Sequence, residues 1–512
     1  MRRTAAREAA GPGRTDSVTA GREGARTKET ELRRVLVNGS ALLGAYVLPR
    51  ALTFSAGLFA ARLLGPEQFG AYGTAAAFAM ILSILASLGM QPLLVRELAR
   101  TPQRASTILA AAQRIKLASA AIMIVTTFVV ARYLMDYPQA IVQAAVLLAI
   151  GHAFAALGEN LGAWFQADER MHIWLEASIW FGIVSGLLGI ALVFWTRSVP
   201  HFAAAFAVGQ LAALLWLRRR LPAHVHAGSA PTWQDVRPLL RATAPFAAGF
   251  LALTIFYKFD VLLLQRLGDA ADVGIYVAGY KLVDVAHALA VVASVAVYPR
   301  LARTTSGAAR GQASRRTLEL FLLLGVAGSG TLWLIREPLT LLLFGPAYAD
   351  TAATLGLLAP ALIALVINIL AGYLLSAADR MAPLALAYLM GCTLKLVLAL
   401  WWIPQYGAQG MALAKLTAEV LLAVALVAVL SRASAAVPGR RTLVLALAGS
   451  AVAAIISALP AAPVLAAVLY LAIIVVLYGA GQALTQAEWR TLGSALRTRG
   501  PQAGYGSGGA GA

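Results

Sequence analysis

Apolar runs, each near the length of a bilayer crossing, alternate along the chain with short connections rich in Arg and Lys. They fall at about 40–61, 70–93, 115–136, 139–162, 173–195, 199–218, 243–265, 272–297, 318–343, 352–376, 382–404, 408–431, 442–460 and 463–482. A helix needs roughly 20 apolar residues to cross a hydrocarbon layer about 30 Å thick. The pattern therefore predicts fourteen transmembrane helices and an all-α polytopic membrane protein. An even number of crossings places both ends on one side. Of the 42 basic residues, 32 lie in the tails and in one alternating set of connections, which includes Arg96, Arg100, Arg104, Arg114, Lys116, Arg170 and Arg218 to Arg220. Only Arg62, Arg132, Arg197 and Arg266 lie in the other set. Basic residues are retained in the cytoplasm, so both termini are predicted to be cytoplasmic. The outer connections are all short and leave no room for a soluble active site.

Composition agrees with this pattern: 60% of the 512 residues are hydrophobic and 13% charged, with a mean hydropathy of +0.74. The net charge of +19 follows the topology. No basic patch is interleaved with aromatic residues in the manner of a nucleic-acid surface, and no nucleic-acid partner is expected. Cys392 is the single cysteine, which excludes a disulfide within the chain. Residues 1–35 are polar and basic and lack the apolar core of a signal peptide; they read as a disordered cytoplasmic tail. A first six-helix unit is expected over 36–220, a cytoplasmic linker over 221–241 and a second unit over 242–432. Two additional helices follow over 433–484, then a flexible cytoplasmic tail rich in Gly and Ala over 485–512.

The two six-helix units carry a repeat. Arg62, Gly70 and Tyr72 after the first helix return as Arg266, Gly274 and Tyr276 after the seventh, at one offset of 204 residues. Arg96 and Arg300 keep that offset. Six helices preserve orientation, so the units are expected to be parallel repeats around a central cavity, and transporters place their substrate between such repeats.

Charges inside the apolar runs are the candidate chemistry. A charge at mid-bilayer costs about 2.5–3.5 kcal/mol on insertion scales and survives by facing water or a partner. Arg50, Lys258, Lys281, Lys395 and Lys415 outnumber Asp260, Asp284 and Glu419, which points to an anion as ligand. The five cations are the candidate anion contacts, and the three acids are candidates for proton or sodium coupling. Lys281 and Asp284 share a helix face, as do Lys415 and Glu419. Each is either a self-neutralised pair or a switch in which the acid takes up an ion and releases its cation. Lys258 and Asp260 are two apart and cannot pair directly. Arg50 follows Pro49, which would kink the first helix; pairing with Glu419 is the alternative to anion contact. Arg336 reads as snorkelling to the interface, and Glu159 and Glu176 as solvated helix-end residues. His152 and His287 read as packing residues, and Trp180, Trp195, Trp401 and Trp402 as interface anchors. No metal cluster, cofactor motif, nucleophile elbow or P-loop is present, so no cofactor and no enzymatic activity are expected.

The segment Arg62-Leu-Leu-Gly-Pro-Glu-Gln-Phe-Gly-Ala-Tyr72, with Leu-Val-Arg-Glu-Leu-Ala-Arg100, resembles the start of the polysaccharide-biosynthesis flippases of the multidrug/oligosaccharidyl-lipid/polysaccharide exporter superfamily. Lys258 to Gly268, Leu343-Phe-Gly-Pro-Ala-Tyr348 and Ile403-Pro-Gln-Tyr-Gly-Ala-Gln-Gly410 extend the resemblance over roughly residues 36–432. It implies a bacterial inner-membrane flippase that moves an undecaprenyl-pyrophosphate-linked oligosaccharide outward by alternating access. Surface-polysaccharide glycosyltransferases and a polymerase would be its partners, and membrane lipids its surroundings. The alternative is a multidrug or metabolite antiporter of the same superfamily, although an exporter of cationic drugs calls for a net acidic cavity. A membrane glycosyltransferase or polymerase fits poorly, since the outer loops are short.

Overall fold

The structure is a computed structural model that describes residues 16–226, 231–303, 307–378, 380–434, 438–459 and 462–480. Ten helices among the described residues are long and apolar enough to cross a membrane, with Pro463–Gly479 a shorter apolar helix. Two of the ten, Pro49–Arg100 and Met381–Arg432, are 52 residues each. At 1.5 Å per residue each would run about 78 Å, more than twice the hydrocarbon layer, so each is a double crossing. Both bend at a glycine with positive φ: Gly65 (76°), followed by Pro66, and Gly407 (52°). Only glycine takes this conformation without strain, and the bend reverses the chain.

Divided at those bends, the described residues form long helices α1 (16–64), α2 (66–82, prolonged by Ile84–Ser87 and Gln91–Arg100), α3 (Ala105–Val129), α4 (Gln139–Ala167), α5 (Met171–Thr196), α6 (Val199–Arg220) and α7 (Trp233–Leu267). They continue as α8 (Ala270–Arg303), α9 (Gly307–Leu334), α10 (Thr351–Ala377), α11 (381–406), α12 (408–434), α13 (Arg440–Ser457) and α14 (Pro463–Ala480). The fourteen predicted crossings are therefore present. One end of the bundle carries Arg96, Arg100, Arg104, Arg218 to Arg220, Arg315, Arg316, Arg440 and Arg441 and is called the basic face. The turns at Gly65, Gly268, Gly345 and Gly407 mark the opposite face, where Trp195 and Trp401 project outward from helix ends.

The halves are built alike. In the first, α5 packs on α1 and α6, and α4 on α3 and α6. In the second, α7 and α10 pack on the α11–α12 pair, and α9 on α10. The halves meet along a seam that is tightest at the opposite face. There Gly70 of α2 lies against the Ala270 carbonyl of α8, while Gly274 lies against the Pro66 carbonyl. These contacts exchange under the 204-residue offset, so a pseudo-two-fold axis passes through the crossing. Side chains at these glycines would separate the backbones. Beside it, the Tyr348 hydroxyl donates to the Ala61 carbonyl (2.9 Å), Arg62 Nε donates to the Leu343 carbonyl (2.8 Å), and Thr74 Oγ1 bonds Gln265 Oε1 (2.7 Å). Within the second half, Asp272 Oδ1 accepts from the Ala408 amide (3.1 Å) and secures the start of α12. The Tyr470 and Tyr478 hydroxyls of α14 donate to the Val326 and Leu323 carbonyls of α9, so the last hairpin is fixed to the second half.

Three expectations change. Residues 16–34, expected without structure, continue α1 as helix. The ninth helix stops at Leu334, and Arg336–Phe344 forms a separate short helix because Pro338 cannot sit in a helix interior. The linker is shorter than 221–241: α7 starts at Trp233, capped by reciprocal Thr232–Asp235 hydrogen bonds. The expected tails at 1–15 and 485–512 lie outside the described residues.

Candidate functional site

Two sets of intramembrane charges separate in space. The first lies inside the second half. Lys415 of α12 places Nζ 3.3 Å from Asp260 Oδ2 of α7 and 3.6 Å from Glu419 Oε1 on its own helix. Asp260 also accepts from the Tyr276 hydroxyl of α8 (2.8 Å), and Glu419 accepts from Asn368 Nδ2 of α10 (2.7 Å). The ammonium lies 4.7 Å from the centre of the Tyr280 ring. All three ionic side chains are about 1% exposed. An ion withdrawn this far from water survives only where opposite charges and hydrogen bonds replace its hydration, and four helices supply them. Lys395 of α11 is also buried; its ammonium donates to the Phe256 carbonyl and sits over the Phe256 ring (4.5 Å).

Lys395 thus braces α11 to α7 within the second half.

The second set lies on the seam. Lys281 of α8 crosses to α1, where its ammonium is 5.5 Å from the centre of the Phe54 ring and packs onto Gly57. A Cβ at Gly57 would occupy the space of Lys281 Nζ. Among the described residues, no carboxylate lies within 4 Å of this ammonium and no hydrogen bond is formed by it. Lys258 of α7 lies 3.7 Å from Asp284 of α8, with side chains 23% and 43% exposed, and 5.2 Å from the Tyr280 ring centre. Asp284 is one turn from Lys281, toward the basic face. Arg50 is exposed and shares a helical face with Phe54 and Gly57, about 10 Å from Gly57 toward the basic face. Its neighbour Pro49 packs on Gly182 of α5, and the Thr53 hydroxyl donates to the Pro49 carbonyl (3.0 Å).

The structure thus re-pairs the predicted constellation. Asp284 meets Lys258 across two helices instead of pairing first with Lys281 on its own. Lys258 and Asp260 point to different sets, as their spacing requires. Lys415 does contact Glu419, with Asp260 closer. Lys116, counted with the loops, is wholly buried in α3 and donates to the Ala156 carbonyl (2.8 Å) and to Glu159 (2.9 Å). Glu159 is therefore an ion-pair partner and not a solvated end. Glu176 accepts from Trp216 Nε1 (3.2 Å) and lies 3.8 Å from Arg220. Arg336 donates to the Trp333 carbonyl (2.7 Å). His152 and His287 pack on the Phe206 and Tyr257 rings. Gly57 escaped sequence reading; its only signal is a glycine within a helix, which costs about 0.5–1 kcal/mol relative to alanine. No group of three His, Cys, Asp or Glu suited to a metal ion occurs among the described residues.

The described residues thus form a bundle of two like halves with charges on the seam between them. Its fold is similar to that of the lipid II flippase MurJ in an inward closed conformation (TM-score 0.71, 12% identity, 89% of this chain and 99% of that one). It is also similar to an inward-facing multidrug resistance MATE family transporter (0.63, 14%, 77% and 98%) and to a superfamily transporter from Pyrococcus furiosus (0.55, 12%, 77% and 94%). The polysaccharide biosynthesis protein family matches residues 35–305, more than half of the chain, and the chain belongs to that family. Among curated proteins, none matches the sequence.

Proposed function

We propose that this protein flips an undecaprenyl-pyrophosphate-linked oligosaccharide across the bacterial inner membrane, with the basic face and both termini in the cytoplasm. The observation that carries the reading is Lys281, an ammonium on the seam with no carboxylate within 4 Å among the described residues. A cation at that depth calls for an anion, and a pyrophosphate supplies one that arrives and leaves with the substrate. Lys258 and Arg50 extend the cationic path along the seam, with Asp284 as its one acid among the residues named. Such a balance suits an anionic headgroup better than a cationic drug. The lipid tail stays in the bilayer, and the halves rock about the Gly70–Gly274 crossing to expose the seam to each side in turn.

Ion coupling is assigned to the acids. Asp284, half-exposed beside Lys258, is the carboxylate best placed to exchange a proton or sodium ion during the cycle. Asp260 and Glu419 act inside the second half, where Asp260 Oδ1, Glu419 Oε1 and Asn368 Oδ1 accept no hydrogen bond from the described residues. Lys395 and Lys415 act indirectly, by fixing the helices that present Lys258 and Lys281. In cells whose surface polysaccharide depends on the protein, Lys281→Ala is expected to abolish the polymer and leave its lipid-linked precursor on the inner leaflet. Normal polymer with a correctly inserted variant would overturn the reading.

A further inference from the structure

The feature that the proposed transport does not use lies at the basic face, along the early turns of α9. A cavity of about 430 Å³ opens there, lined by Gln312, Ala313, Arg315, Arg316 and Glu319. Glu319 holds its walls together: Oε1 accepts from Arg315 Nε (3.1 Å) and from the Gly439 amide (2.9 Å), and Oε2 lies 3.6 Å from Arg316. Gly439 starts α13, and any side chain there would strike the Arg315 guanidinium. The next two residues, Arg440 and Arg441, are exposed. Arg315 and Arg316 thus both contact one nearly buried carboxylate, and Arg440 and Arg441 directly follow the glycine whose amide that carboxylate holds.

The surroundings of this cluster are apolar. Val444 and Leu447 continue the helical face of Arg440 and are 55% and 72% exposed; Leu324, two turns beyond Arg316 on α9, is 66% exposed. Cations at a helix end with bare aliphatic side chains directly above them match a molecule with a phosphate head and hydrocarbon tails. A free phosphate would use the arginines and leave the aliphatic wall unused.

We propose that this cavity is a binding site for an anionic phospholipid, whose phosphate is held by Arg315, Arg316, Arg440 and Arg441 and whose acyl chains lie along α9 and α13. Basic pockets between helices at the cytoplasmic interface hold such headgroups, with each cation near the surface contributing about 1 kcal/mol. The bound lipid would join α13 to α9 on the side away from the Tyr470 and Tyr478 bonds. The inference is independent of what the seam carries.

The test uses the full-length protein in mild detergent, titrated with phosphatidylglycerol, with phosphatidylcholine and with inorganic phosphate. Lipid adducts are read by native mass spectrometry and unfolding by thermal denaturation. Phosphatidylglycerol is expected to be retained and to raise the melting temperature, with little effect from phosphatidylcholine or phosphate. Arg440→Gln with Arg441→Gln leaves the Glu319 contacts in place and should weaken retention about tenfold or more. Adding Arg315→Gln and Arg316→Gln should remove it. As control, Arg218→Gln, Arg219→Gln and Arg220→Gln take three charges from the same face of the first half and should leave retention unchanged. Equal loss in that control, unaltered retention in the fourfold variant, or stabilisation by phosphate equal to that by phosphatidylglycerol would each overturn the proposal.

Discussion

The charges inside the second half and those on the seam between the halves lie at similar depths, yet they meet opposite fates. Asp260, Lys415 and Glu419 are enclosed by α7, α8, α10 and α12 and are answered by one another, by Tyr276 and by Asn368. Lys281 reaches into the other half, meets a glycine and an aromatic face, and has no carboxylate within 4 Å among the described residues. In the enclosed set one ammonium is held by two carboxylates of its own half, which ties helices together and leaves acceptor oxygens over for a coupling ion. On the seam the ammonium is left for something mobile to neutralise, which is the role the proposed function gives it. Both sets are made of the same residue types, so the difference lies in which helices they meet.

The comparison can be broken most forcefully from inside. Lys415→Ala leaves two buried carboxylates without their cation, and removing one partner of a buried pair costs about 3–5 kcal/mol. Denaturation in detergent should show that loss, whereas Lys281→Ala should unfold like the parent. Joint replacement of Asp260, Lys415 and Glu419 by Asn, Met and Gln should recover most of the stability. Next in size is Gly57→Val, which fills the space of the Lys281 ammonium. It should reduce flux about tenfold or more by displacing that charge, with a smaller effect on the melting temperature. Next comes Asp284→Asn: Lys258 loses its one carboxylate partner among the described residues, so substrate should bind a few fold more tightly, given about 1 kcal/mol for a half-exposed pair. A radiolabelled lipid-pyrophosphate binding assay would read it.

The smallest effect concerns pH at the basic face. Hydrogen bonds from the Thr232 hydroxyl and amide, reinforced by Arg104, hold the Asp235 carboxyl below its ordinary range. A carboxyl with a depressed folded value stabilises above its unfolded value and ceases to do so as pH falls through the folded one. The start of α7 should therefore keep its cap at neutral pH and fray only in acid, and Asp235→Asn should remove that dependence in amide exchange of residues 233–237.

Much of this fold was legible in the sequence because hydropathy and charge are one-dimensional signals. The fourteen crossings, the parallel repeat and the intramembrane charges follow from runs, counts and one offset. Pairing was less legible, since spacing along one helix cannot reveal a partner on another: Asp284 turns to Lys258, and Asp260 to Lys415. Lys116 was misplaced because a basic residue near a helix end looks like a loop residue unless its carboxylate, 43 positions away, is known to reach it. Lys395 reads from the sequence as a ligand for an anion, and its hydrogen bond to the Phe256 carbonyl of α7 could not be read from spacing. Pro338 was the available sign that the ninth helix ends early.

In the proposed function the seam, and Lys281 above all, carries the anion. Purified protein in proteoliposomes, given a fluorescent undecaprenyl-pyrophosphate oligosaccharide, measures it directly through quenching of the probe that reaches the far leaflet. Lys281→Ala is expected to abolish flipping and Lys281→Arg to retain part of it, with both variants melting like the parent. Parental flipping by Lys281→Ala in stably folded protein would contradict it.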